Sequence, residues 1–137
     1  MRIGQFAFAV SALFIPLGCG GHVSTAGICG GNIVAAFITP QNLVLDHTAV
    51  TTGWNHITFA VYGNYDQSNC VELNAVPLNN ATWSASDSQN VLLTPVDGSP
   101  NKMTVTCMDA SSDRVTISAS SLQHGVTVTG TTYVICK

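Results

Sequence analysis

The sequence predicts an all-β protein folded as a two-layer sandwich, and three observations predict it. Beyond residue 33, apolar residues alternate with polar ones at period two, and turn residues punctuate the segments. No segment carries a sustained i, i+3, i+4 apolar stripe with helix caps. Thr and Val, which suit a pleated and half-buried surface, recur throughout. About seven short segments, spaced by roughly 8–12 residues, indicate a β-sandwich or a small barrel. Inward Trp, Phe, Val and Ile suit two facing sheets, so the sandwich is the expectation.

The segments follow in order. Ile33 to Ile38 is a short apolar run, read as a buried strand. Ile57, Phe59 and Val61 alternate with His56, Thr58, Ala60 and Tyr62, and a turn is expected at Gly63-Asn64. Trp83 and Ala85 alternate with Thr82, Ser84 and Ser86. Val91 to Val96 is a compact apolar segment closed by the turn signal Asp97-Gly98-Ser99-Pro100. Met103, Val105 and Cys107 alternate with Thr104 and Thr106, and Val115, Ile117 and Ala119 with Thr116 and Ser118. Val126, Val128, Val134 and Cys136 share one parity, with a bulge expected at Gly130.

Composition narrows the function classes. The chain has 137 residues, enough for one domain, and only 8% are charged, against about 25% in an average soluble protein. With 4 Lys+Arg against 7 Asp+Glu there is no basic cluster to neutralise phosphates, which excludes a nucleic-acid binder. A 46% hydrophobic content with low charge is the reverse of the disordered signature. Long A/E/K/L/R-rich heptads, needed for a coiled coil, are absent.

The first stretch, MRIGQFAFAVSALFIPLGCGG, has a positive residue, Arg2, ahead of an apolar run from Ile3 to Leu17. That is the layout of an export signal. It falls short of the roughly 20 apolar residues of a membrane span, and Pro16 and Gly18 break it. Pro16-Leu17-Gly18-Cys19 resembles the lipobox of bacterial lipoproteins, in which a small residue precedes a Cys that is acylated and becomes the first residue after cleavage. The resemblance implies a signal at residues 1–18, lipid on Cys19, and a Gly/Ser/Thr-rich tether over 19–32 ahead of a domain at 33–137. The alternative is an ordinary signal cut after Ala26.

The body also carries a resemblance. Ile38-Thr39-Pro40, Gly53 and Ile57-Thr58-Phe59-Ala60-Val61-Tyr62-Gly63 look like the opening strands of bacterial immunoglobulin-like domains of group 2. Thr82-Trp83-Ser84-Ala85-Ser86-Asp87 resembles that family's third strand. Val115 to Ala119 and Gly130 to Cys136 resemble its last two. The segment Asn64 to Pro77 is longer than the family's usual turn, and Met103 to Ala110 replaces its Gly-rich stretch. The resemblance implies an immunoglobulin-like β-sandwich of about seven strands, in a family used for adhesion and as spacers.

Five cysteines are present, at positions 19, 29, 70, 107 and 136. With Cys19 lipidated, four remain for disulfides, which export permits. Cys107 shares an inward face with Met103 and Val105, and Cys136 shares one with Val134, which favours Cys107–Cys136. Cys29–Cys70 follows by elimination. The competing scheme, Cys70–Cys107 with Trp83 between them, has the Cys…Trp…Cys order of antibody domains. No C-x₂-C pair offers a zinc site, and no cofactor is expected.

Catalytic material is sparse. Asp46 and His47 are neighbours, so on a strand they point to opposite faces. His56 sits on a polar parity, His124 precedes Gly125 in an expected hairpin turn, and His22 lies in the tether. There is no G-x-S-x-G elbow and no Gly-rich phosphate loop before a helix. Asp109 and Asp113, flanking Ser111-Ser112, read as a solvated turn rather than a weak Ca²⁺ site. Asn80-Ala81-Thr82 matches a glycosylation acceptor and reads as a surface turn. Trp54, Tyr62 and Tyr65 fall at or near loops and are candidates for stacking on sugar or peptide. In the competing reading, Trp54 and Tyr62 close the ends of the core. The long Asn64 to Pro77 loop is a further place for specificity.

The expectation is a non-enzymatic, exported module, lipid-anchored through Cys19 at the outer membrane or cell surface. It would act in adhesion, binding or structure through a protein or glycan partner, touching membrane only through its anchor. The alternative is a freely secreted or periplasmic binding protein, or an accessory subunit of an envelope complex.

Overall fold

The computed structural model describes residues 32–65 and 75–137. They form nine strands: β1 (Ile33–Thr39), β2 (Leu43–Leu45), β3 (His56–Tyr65), β4 (Val76–Pro77), β5 (Thr82–Ala85), β6 (Val91–Pro95), β7 (Lys102–Cys107), β8 (Val115–Gln123) and β9 (Val126–Cys136). The two beyond the expected seven, β2 and β4, are too short to show alternation. Only their partners define them: β2 runs parallel to the end of β9, and β4 pairs with β3 at Tyr62 and Gly63.

The strands make two facing sheets, one ordered β1-β3-β7-β6 with β4 beside β3, the other β2-β9-β8-β5. With β2 and β4 set aside, this is the constant-type immunoglobulin order, strands A, B, E and D against C, F and G. The chain crosses from one sheet to the other between β1 and β2. Asn42 takes a left-handed conformation there (φ 59), which Asn tolerates, and its N–H donates to the buried Thr132 hydroxyl at 3.1 Å.

The core lies between the sheets. Ile38, Phe59, Val61 and Val105 from the first sheet meet Val115, Ile117, Ala119 and Val134 from the second, with Leu78 from the β4–β5 connection. The period-two reading holds through β5 and β8 and puts Phe59, Val61, Val105 and Cys107 inward, but Ala60, read on the outward parity of β3, is buried as well. At the tip of β8–β9, His124 and Gly125 both have positive φ, and Gln123 pairs with Val126. That is the two-residue hairpin whose twist matches the strands.

Two glycine expectations are corrected. Gly63 is not in a turn: β3 runs on to Tyr65, and Gly63 is a buried strand residue opposite Ala36 and Val76. A Cβ there would stand 2.6 Å from Ile33 Cγ2. Gly130 makes no bulge, since its register with Ala119 is continuous. Its glycine serves a close approach between sheets, for a Cβ would lie 3.1 Å from the backbone of Ala36 and Phe37. Val126 is also corrected, from inward to exposed; the inward series of β9 starts at Val128. Backbone cannot step aside as a side-chain end can. Gly130→Val therefore forces β1 off β9 and is expected to destabilise by about 1–3 kcal/mol, read as a lowered urea midpoint. An unchanged midpoint would show that β1 yields freely.

Candidate functional site

Ten residues, 46–55, connect β2 to β3 at one end of the sandwich, and the chain there is tied down repeatedly. Asp46 N–H donates to Trp54 C=O at 3.2 Å, closing the loop on itself. Inside it, Ala49 N–H donates to Asp46 C=O and Gly53 N–H to Val50 C=O. The Thr48 N–H and hydroxyl both donate to Asp46 Oδ1, at 2.9 and 2.7 Å. These bonds, the side-chain one first, hold the Asp46 carboxyl below its ordinary pKa. Asp46 and His47 thus sit in a turn after β2, not on a strand.

The end of β9 holds the loop from a distance in sequence. His47 N–H donates to Lys137 C=O at 2.9 Å, its Nδ1 lies 2.6 Å from the same oxygen, and Lys137 N–H donates to Leu45 C=O. Cys107 N–H donates to Asn55 C=O at 2.8 Å. The Cys107–Cys136 disulfide, with Cα atoms 5.7 Å apart, joins the ends of β7 and β9 and so links the two sheets at this same end. Both cysteines are 1% exposed. The competing Cys70–Cys107 pairing is thereby overturned. Antibody domains place their inter-sheet bridge between strands B and F instead.

On this fastened loop Trp54 stands 72% exposed, so it does not close the core. It walls an open depression of about 500 Å³, with Val44, Leu45, Asp46, Ala49, Thr52 and Lys137. That volume lies within the range of small-molecule sites. Val44 and Val50 are exposed beside it.

The other candidate aromatics lie elsewhere. Trp54 precedes β3 and Tyr65 ends it, so about 30 Å of extended strand separates them. Tyr65 packs against the core. Tyr62 is a half-buried strand residue, not a loop residue, and its ring stacks on Phe37 at 5.8 Å. Asp109 and Asp113 lie in an exposed connection where the Ser111 hydroxyl accepts from Cys136 N–H. Asn80 is in an exposed turn, bonded to Ser121, Leu122 and Gln123. His56 is exposed and bonded to Asn55. Among the described residues, no three His, Cys, Asp or Glu side chains gather into a metal-binding group. Cys19, Cys29, Cys70, the expected signal, most of the expected tether and the middle of the Asn64 to Pro77 loop lie outside the described residues.

Of the depression's lining, sequence reading singled out only Trp54 as a binding residue. Asp46 stands out in the sequence only as the neighbour of His47, and Val44, Thr52 and Lys137 carry no local signal. His47 and Lys137 are 90 residues apart, and only the parallel β2–β9 pairing brings them together.

Fold and site together define a disulfide-linked sandwich of immunoglobulin strand order that presents one tryptophan on a fastened end loop. No protein-family model and no curated protein sequence matches the chain.

Proposed function

We propose that the protein is an exported, non-enzymatic immunoglobulin-like module, anchored by lipid on Cys19, that makes adhesive or binding contacts with protein or glycan at the bacterial cell envelope. The observation that carries this reading is the buried Cys107–Cys136 bridge between the sheets. Such a structural disulfide belongs to an oxidising compartment, and the apolar stretch behind Arg2 supplies the route to one. The resemblance of Ile57 to Gly63, Thr82 to Asp87 and Gly130 to Cys136 to the group 2 bacterial immunoglobulin-like family supports the class of module. The exposed Trp54 supports a contact role over a pure spacer, because a lone indole on a rigid loop gives the fold nothing by being in water.

Intact mass, measured on membrane and soluble fractions of the native host with and without reduction, tests the proposal. The expected species is membrane-bound, begins at Cys19 with added acyl mass, and gains the hydrogens of two bridges on reduction, Cys107–Cys136 and Cys29–Cys70. A soluble, unacylated chain beginning near Gly27 would remove the anchor and leave a freely secreted binding protein.

A further inference from the structure

We infer that the depression beside Trp54 is a carbohydrate site that seats one pyranose ring of a neutral oligosaccharide. The inference rests on the binding role proposed above and names its ligand class. Three features of the site select this chemistry.

The first is the platform. The Trp54 indole is 72% exposed, and the bonds from Asp46 N–H, Cys107 N–H and Gly53 N–H restrain the loop that carries it. A flat, pre-placed aromatic face loses little freedom when a ligand covers it. The C–H face of a pyranose is a flat apolar surface of matching size.

The second is the polar rim. Both Thr48 bonds to Asp46 fall on Oδ1, so Oδ2 remains an acceptor for a hydroxyl. Like any exposed carboxyl, Asp46 is ionised at neutral pH, and the Thr48 bonds favour that form. The Thr52 hydroxyl gives its proton to Ala49 C=O at 3.1 Å and so presents lone pairs outward. Lys137 also lines the depression, and its side chain carries donors only. Sugar hydroxyls both donate and accept, and satisfy all three groups.

The third is what the site refuses. An acyl chain would cover two charged side chains, Asp46 and Lys137, and offer no hydrogen bond to replace the water it displaced, a costly desolvation. An anionic group would face the Asp46 carboxylate as well as Lys137, one charge of each sign, so the lining offers it no net positive charge. An added peptide strand would find only the three residues of β2 to pair with.

The full mature chain is titrated by tryptophan fluorescence, and it and every variant also by isothermal calorimetry, with tetrasaccharides of glucose, mannose, galactose and N-acetylglucosamine. In parallel, its adhesion to fibronectin- and collagen-coated surfaces is measured. The expected result is a saturable change in emission with at least one sugar. Trp54→Ala should weaken that binding about tenfold or more, Asp46→Asn several-fold, and Trp54→Phe less than Trp54→Ala. Trp83→Phe should leave it intact. Because Trp54 and Asp46 are exposed, unchanged thermal unfolding in these variants separates lost binding from lost fold. Sugar binding that survives Trp54→Ala overturns the site. Adhesion to protein surfaces without binding of any sugar overturns the ligand class and keeps the binding role. Failure of both arms removes both.

Discussion

Phe59→Ala is expected to destabilise the domain by about 3–5 kcal/mol, the usual cost of deleting a fully buried phenyl ring. Phe59 has no exposed surface and sits mid-strand in β3, opposite Met103 on β7, facing the second sheet. Its inward parity is shared with Val61 on the same strand and Val105 on the next, so removing the ring opens the centre of the core rather than its rim. Against a typical total of about 5–15 kcal/mol, the loss is a large fraction. At about 4–8 °C per kcal/mol for a domain near this size, the melting temperature should fall by at least about 12 °C. Thr58→Ala is the control. That side chain is exposed and shares one hydroxyl–hydroxyl bond of 3.0 Å with Thr104, so its change should stay near 0.5 kcal/mol. Equal shifts for the two variants would mean that β3 does not turn Phe59 toward the opposing sheet.

Removing the Cys107–Cys136 bridge by the double change to alanine is the second large effect, about 3–4 kcal/mol. The bridge closes a loop with a sequence separation of 29, and the chain-entropy model assigns that cost to the unfolded state the bridge no longer restricts. The urea midpoint should fall by about 1–3 M with little change in the native spectrum. Reducing agent added to the folded wild-type protein should act slowly, because both sulfur-bearing residues are almost wholly enclosed. The bridge also lies beneath the 46–55 loop, to which Cys107 donates its N–H, so Trp54 emission reports whether the loop loosens when it is cut. A variant matching wild type in urea would assign the sheet contact entirely to packing.

The strands legible in the sequence were those with one face in the core. In β3, β5, β7 and β8 the alternation of side chains is the physical cause of burial, so parity alone located Phe59, Val105 and Ile117. The same parity brought Cys107 and Cys136 inward and favoured their pairing. Gly63 and Gly130 were misread because a glycine's reason for being there is a neighbour, not a local pattern. Ile33 and the backbone of Ala36 and Phe37 crowd them, and those residues are distant in sequence.

By itself, then, the sequence determined the all-β class, the two-sheet arrangement, the His124-Gly125 hairpin and the favoured disulfide, because each follows from period-two burial or from a residue's own backbone preference. The tertiary structure alone decided the order of strands within each sheet, the existence of β2 and β4, and the end at which Trp54 is presented. These depend on pairings between segments far apart along the chain, of which β2 with β9 is the plainest. Three residues of β2 carry no pattern of their own, yet their contact with β9 brings Lys137 to the loop of Asp46 and Trp54 and so makes the depression.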